Sequence, residues 1–299
     1  MPGFHVISTV RKESLLEQLR SKGLSAVLLD VTDEASIATC RDQVEKMVDG
    51  RLDILVNNAG RGHTMPATDM AVATARAVYE TNLFSVMALT STFTPLLIPT
   101  RGLIINISSI SSFVPFIFGS AYASSKAALN SYSRTLRQEL RPFGVRVMVA
   151  MAGTVQSNIA SGKKGVGLPE GSLYARVSHL FEQRKGFSQK AQSRPMETSA
   201  FARRLVDEAS KGEVAPFWRS WLGRPDWFWC GGQSSVVYWT SWLGDWAFDF
   251  GMWRRSRLSE LEAMVKENEK RKEKDSLDYQ WSTANCELVS SGRSKWQIQ

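Results

Sequence analysis

The chain is poor in the residues that build disulfide frameworks and metal centres. Three cysteines (Cys40, Cys230, Cys286) and three histidines (His5, His63, His179) are scattered over 299 residues. The cysteines are odd in number, far apart and without ligand spacing. That excludes a disulfide scaffold or zinc ribbon and suits a reducing compartment. The histidines form no ligand pair, so no metal site is expected. No basic-then-apolar leader opens the chain. No uninterrupted apolar run of about eighteen residues occurs, so an ordinary membrane span is not expected. Nor is there a helix-turn-helix, finger or aromatic RNA-binding motif, and nucleic acid is not expected as a partner.

What is present describes a globular protein, with 43% hydrophobic and 22% charged residues. The length allows one core and an appendage. The net charge of +8 suits an anionic lipid surface or a phosphorylated ligand.

Strands and helices alternate along the first two thirds. Phe4–Thr9 reads as a strand, Glu13–Ser21 as a helix closed by Gly23, and Ala26–Leu29 as a second strand. Asp30 ends that strand, and Thr32 or Asp33 can cap a helix to about Val48. Asp53–Asn57 is a short buried strand, and 69–97 reads helical, with Pro99 and Gly102 at its exit. Leu103–Ile107 is a strand, the helix around Tyr122 runs to Leu140, and Val145–Ala150 is a strand. This order predicts a doubly wound parallel α/β sheet.

One constellation carries chemistry. Ser109 follows a buried strand, and Tyr122 and Lys126 lie further on at i and i+4 of one helix, on a shared face. A phenol ionises near pH 10 unless helped. A fixed ammonium nearby lowers that value, and a serine hydroxyl could hold a carbonyl oxygen beside it. Such a group can move a proton at a ketone or alcohol.

Asn106-Ile107-Ser108-Ser109, Tyr122-x-x-x-Lys126 and Asn57-Asn58-Ala59-Gly60 together resemble the short-chain dehydrogenase/reductase family, over roughly Gly3 to Ala215. The run from Val114 to Lys126 looks most like the family's fungal 1-acyldihydroxyacetone-phosphate reductase group and its hydroxysteroid-dehydrogenase-like members. The resemblance implies a Rossmann-like fold and the catalytic set Ser109, Tyr122, Lys126 and Asn82, with Asn82 holding a water beside Lys126. It implies cofactor contacts from Thr9, Arg11, Asp30, Asn57, Ala59, Gly60, Tyr122, Lys126, Val155 and Ser157. Arg11, at the end of the strand that would meet the adenosine ribose, suits a 2′-phosphate and therefore NADP(H). Ala152 and Ser157 stand where members usually show Pro and Thr.

One departure is large. Family members carry Thr-Gly-x-x-x-Gly-x-Gly after a first strand, and no such stretch occurs here. Gly3–Val6 aligns by pattern with the family's second strand. The first strand, the phosphate-binding turn and the first helix are therefore expected to be missing.

The sequence thus divides into a truncated dehydrogenase domain (1–215) with a substrate lid at about 160–194, a Trp-rich segment (216–258), and a charged helix with a disordered tail (259–299). Eight of the ten tryptophans lie between Ala215 and Trp253, and Arg254, Arg255 and Arg257 follow. This composition suits peripheral membrane contact and equally suits an aromatic cover over a pocket or core. The expected activity is an NADP(H)-dependent oxidoreductase on an apolar or lipid-like small molecule, acyldihydroxyacetone phosphate or a secondary-metabolite ketone. The rival is a non-catalytic, membrane-associated or scaffold protein that kept the motifs and lost the cofactor cradle. The expected location is intracellular, cytoplasmic or peripheral to the endoplasmic reticulum or lipid droplets. Oligomerisation stays open.

Overall fold

The computed structural model describes residues 3–159, 167–212, 214 and 223–270. Its strands are β1 (Ile7–Val10), β2 (Ser25–Leu28), β3 (Ile54–Asn57), β4 (Leu103–Ser109), β5 (Arg146–Ala152) and β6 (Trp227–Cys230). All pair in parallel, as two sheets: β1-β2, and β3-β4-β5-β6. Helices separate them: α1 (Glu13–Ser21), α2 (Glu34–Met47), α3 (Val72–Tyr79), α4 (Ser85–Leu97) and α5 (Ser120–Leu140). After β5 come α6 (Ser178–Arg184), α7 (Thr198–Ser210), α8 (Ser234–Thr240) and α9 (Asp245–Ser256), and residues 259–270 are again helical. The doubly wound α/β architecture expected from the sequence is present, built from near-continuous apolar strands covered by helices.

The local chemistry explains the boundaries. Asp33 caps α2 by accepting from the Ala35 amide at 3.0 Å. Gly23, at φ +75°, lets the chain leave α1 and enter β2. Gly102 sits where an added Cβ would lie 2.8 Å from the Asp53 carbonyl oxygen, so only glycine lets β4 start beside β3.

The two sheets share a core. Val27 and Leu29, on and just after β2, pack with Ile37, Cys40 and Val44 of α2 and with Leu89, Phe93 and Leu96 of α4. Ile7 of β1 and Leu55 of β3 border the same cluster. Yet among the described residues no strand pairs with the second edge of β1 or of β3. Val56, on β3, is accordingly exposed.

Residues 72–100 are helical throughout, long and apolar enough by length and composition to cross a bilayer. Here they form a core helix. Val78, Leu83, Val86, Leu89, Phe93 and Leu97 are buried against sheet and α5.

Two expectations about the C-terminal third need correction. The Trp-rich segment is not an appendage after a domain ending at 215. Trp227–Cys230 is β6, the outer strand beside β5. Phe228 and Cys230 point into the core formed with Leu103, Met148 and Leu205. Asp226 fixes its start, 3.6 Å from Arg146 and 3.8 Å from Arg137. The charged helix expected near the C-terminus is also not separate from the domain. Arg257, at φ +57°, breaks it from α9, and Leu258, Leu261 and Met264 pack on Phe118 and Phe181. The expected disordered tail, 276–299, lies outside the described residues, as do 271–275 of the charged helix and 160–166 of the lid.

Candidate active site

The C-terminal ends of β3, β4 and β5 bring the site together. In a parallel α/β sheet these ends face the ligand crevice. β4 delivers Ser109 in extended backbone at φ −155°. Its Oγ accepts from the Ser111 amide at 3.1 Å and bonds the Tyr122 phenol. The next turn is tied to α5: Ser108 Oγ donates to Asn130 Oδ1 at 2.6 Å, and Asn130 Nδ2 donates to Ser112 Oγ at 2.8 Å. Ser109 is thereby held at one position relative to α5.

Tyr122 and Lys126 leave α5 one turn apart, as their spacing predicts. The Lys126 ammonium donates to the Ile107 carbonyl at 2.7 Å. Burial pushes its pKa down to about 8. Burial also pushes the Tyr122 phenol up, opposed by the bond from Ser109. The Lys126 ammonium is bonded to the Ile107 carbonyl, and burial is the largest influence on the phenol. The phenol is therefore kept protonated, the form that can donate to a carbonyl oxygen.

Asn82 completes the group. The sequence reads as an unbroken helix here, but Glu80–Phe84 is a π-helical turn, a device frequent at functional sites. It sets Asn82 wholly inside. Nδ2 donates to Ser125 Oγ at 2.9 Å and to the Arg61 carbonyl at 3.0 Å, while Oδ1 accepts from the Arg61 amide at 2.8 Å. Ser125 lies between Tyr122 and Lys126 and donates to the Tyr122 carbonyl at 2.8 Å. Asn82 thus fixes both the Gly60-Arg61 turn and the reactive turn of α5.

The expected cofactor residues fall in two groups. Asn57, Ala59 and Gly60 stand at the end of β3. Asn57 Nδ2 donates to Asn106 Oδ1 at 2.8 Å, Asn106 passes the chain on to Ser133, and Asn57 Oδ1 is buried without a partner. A Cβ on Gly60 would lie 3.7 Å from Asn82 Oδ1 and 3.8 Å from Lys126 Nζ, so its smallness leaves room beside that ammonium. Val155 and Ser157, after β5, are both clasped by one lid side chain. Gln189 Nε2 donates to the Val155 carbonyl at 3.1 Å, and Gln189 Oε1 accepts from the Ser157 amide at 3.0 Å. Thr9, Arg11 and Asp30 gather at the ends of β1 and β2. Asp30 takes both the amide and hydroxyl of Thr32, which hold its carboxyl below the usual range, with a smaller contribution from Arg11. Arg11 is exposed.

These residues suit both ends of a dinucleotide. Lys126, Tyr122 and the orphaned Asn57 oxygen suit a ribose and nicotinamide, and Arg11 suits a ribose phosphate. Between the two groups, the described residues contain no glycine-rich turn leading from a strand to a helix N-terminus. An open cleft of about 380 Å³ lies elsewhere, between Asn130 and Arg134 of α5, Ser112 and Trp227 of β6, and its lining includes none of the catalytic set.

Sequence reasoning quoted Asn106 in a motif without giving it a role, and it missed Ser125 and Gln189. Asn106 carried a signal, as a polar residue inside an otherwise apolar central strand. Ser125 and Gln189 carried none that local spacing could reveal. Among the described residues no cluster of potential metal ligands occurs.

The Tyr122–Lys126 pair has a pH signature. Lys126 is charged below about 8 and discharges above it. A neutral amine no longer stabilises negative charge growing on the Tyr122 oxygen as its proton leaves. Ketone reduction should therefore fall as pH rises through about 8. Lys126→Arg, which stays charged, should shift that fall upward. A pH–rate profile of kcat checks both.

The family model described as short chain dehydrogenase matches residues 2–165. A short-chain dehydrogenase of Neurospora crassa is 37% identical over 79% of this chain and 77% of its own. The NADPH-dependent 1-acyldihydroxyacetone phosphate reductase of Schizosaccharomyces pombe is 41% identical over 58% of this chain and 60% of its own. Among solved structures, a short-chain dehydrogenase of Streptomyces avermitilis is 26% identical, with TM-score 0.65 over 89% of this chain and 90% of its own.

Proposed function

The chain belongs to the short-chain dehydrogenase family of nicotinamide-dependent oxidoreductases, and from that premise we propose that it interconverts a ketone and an alcohol of a lipid-like molecule with NADP(H). The observation that carries this reading is the bonded pair of the buried Ser109 and half-buried Tyr122, with Lys126 one turn away. A bound nicotinamide would supply or accept hydride. The chain's own residues do the rest. Ser109 orients the substrate oxygen, Tyr122 gives or takes its proton, and Lys126 supports charge on the phenol oxygen. Asn82 and Ser125 hold these groups in register.

Arg11 supports NADP(H) over NAD(H), since a guanidinium matches a 2′-phosphate in a bidentate manner. Two other arginines support an anionic head on the substrate. Arg184 lies 5.1 Å over the Phe116 ring and donates to the Ile117 carbonyl at 3.1 Å, on the loop between Ser109 and Tyr122. Arg184 and Arg255 both stack on Phe187, at 5.9 and 5.2 Å. Burial and the Arg255 charge push Arg184 down to about 10. Among the described residues neither has a carboxylate in ion-pair range. This unneutralised charge suits a phosphate such as that of acyldihydroxyacetone phosphate, the molecule named for the fission-yeast relative. Of the other lid cations, Lys185 is paired with Glu182 at 2.8 Å. Lys163 and Lys164 fall outside the described residues.

The test is NADPH and NADH oxidation against acyldihydroxyacetone phosphate and phosphate-free long-chain ketones. The expected result is faster turnover with NADPH and with the phosphorylated ketone. Arg11→Ala should bring the two cofactors within about tenfold of each other, the worth of one charge-assisted contact. Equal use of both by the unaltered chain would refute the NADP(H) assignment. The open edges of β1 and β3 favour the second reading, a non-catalytic scaffold. No turnover of any ketone at saturating cofactor would support it.

A further inference from the structure

The helices after β6 have two unlike faces. Inward, Val237 of α8 and Phe248 and Met252 of α9 pack on Ile110, Val114 and Phe116. They roof the loop that joins Ser109 to the Tyr122 helix. Outward, the same two helices and the 3-10 turn that joins them (Ser241–Leu243) leave large side chains in water. Trp239 is 70% exposed, Trp242 76%, Leu243 56%, Trp246 68% and Phe250 59%. Trp246, Phe250 and Trp253 recur at four and then three residues, so they form one stripe opposite the buried Phe248 and Ser256 and the half-buried Met252.

An apolar surface of this kind, on a lid rather than in the core, calls for a partner. The chemistry of the stripe selects it. Tryptophan has an apolar body and an N–H donor, and it settles at the boundary of headgroups and acyl chains. Arg254 is exposed beside the stripe with its guanidinium 5.7 Å over Phe250. Arg255 follows, and the whole chain carries +8. Positive charge next to exposed aromatics complements an anionic bilayer. Asp245 and Asp249 flank the stripe near the buried side of α9. They limit insertion to shallow depth and leave the aromatic edge free to enter. The helices are only 7 and 12 residues long, suited to lying in the interface and far too short to span.

We propose that the outward face of α8, α9 and the turn between them docks on an anionic membrane surface and sets the roof of the Ser109–Tyr122 site against the lipid. The interaction does not depend on turnover. An apolar substrate would then reach the site from the bilayer side.

The full chain is mixed with phosphatidylcholine vesicles, with and without phosphatidylserine, and sedimented. Binding is expected with phosphatidylserine and at least about tenfold weaker without it or at high salt. Trp242→Ser with Trp246→Ser should reduce binding at least about tenfold, each losing interfacial aromatic area. Arg254→Glu should reduce it on anionic vesicles alone. Lipids brominated near the headgroup should quench the fluorescence of the unaltered chain and spare that of the double variant. Failure of the unaltered chain to sediment with either vesicle overturns the proposal. So does unchanged sedimentation of the double variant. A lipid-independent dimer that the same substitutions dissolve would also overturn it, assigning the face to a second copy. Both exchanged tryptophans are exposed, so folding is preserved, and unchanged thermal unfolding verifies that.

Discussion

Tyr122→Phe is expected to lower kcat about a thousandfold at saturating NADPH, the scale of one general acid placed in hydrogen-bond range. This corresponds to about 4 kcal/mol of transition-state stabilisation. The structure makes the substitution clean. The ring stays packed in α5, and the phenol oxygen is removed from one partner, Ser109. Ser109 keeps its bond from the Ser111 amide at 3.1 Å. The cost in stability is therefore expected near 1 kcal/mol, that of one lost hydrogen bond. A proton-donor role predicts an equal fall in kcat and kcat/KM, because the contact matters in the transition state. A role in binding alone predicts a raised KM at constant kcat. Steady-state kinetics separates the two, and retained turnover would remove Tyr122 from the chemistry. Ser109→Ala should reduce kcat less, since Tyr122 can still donate while the substrate oxygen loses its guide.

The parts of the site that sequence made legible are those set by local spacing. Tyr122 and Lys126 share a face because four residues make about one helical turn, whatever surrounds them. Glu13–Ser21 could be bounded to the residue, because an amphipathic run meets a glycine at positive φ. The parts that stayed hidden depend on distant partners. Nothing within residues 69–97 announces a π turn. It is fixed by Asn82 bonding Arg61 and Ser125, from two other segments. The direction of the Lys126 ammonium depends on where the Ile107 carbonyl stands across the β4–α5 contact. β6 was concealed by composition. Trp227-Phe228-Trp229-Cys230 looks like an interfacial run, yet Phe228 and Cys230 are buried while the tryptophans are half-covered, the period of a strand. Its place beside β5 also needs Asp226 near Arg137 and Arg146, which sequence distance obscures.

The second large effect concerns cofactor affinity. The 299-residue chain is expected to bind NADPH only in the millimolar range. Both ends of a dinucleotide have candidate partners here, at Arg11 and at Tyr122–Lys126. The pyrophosphate between them carries the densest charge and depends on backbone N–H groups at a helix N-terminus. β1 and β3 each present an unpaired edge, and no described segment lies between them to supply that turn. Two or three charge-assisted hydrogen bonds, each worth about 1.5–3 kcal/mol, are then absent. Their loss corresponds to at least about a hundredfold in Kd, and to about a thousandfold or more with three bonds in mid-range. Fusing a strand, a glycine-rich turn and a helix ahead of Met1 should pair both free edges and supply the N–H groups. Affinity should move to the micromolar range, and thermal unfolding should shift upward as the exposed Val56 is covered. Fluorescence titration with NADPH decides the point. Micromolar binding by the unfused chain would mean that the residues at the two ends suffice. A fused chain that stays millimolar would mean that β1 and β3 are not spaced to accept a strand.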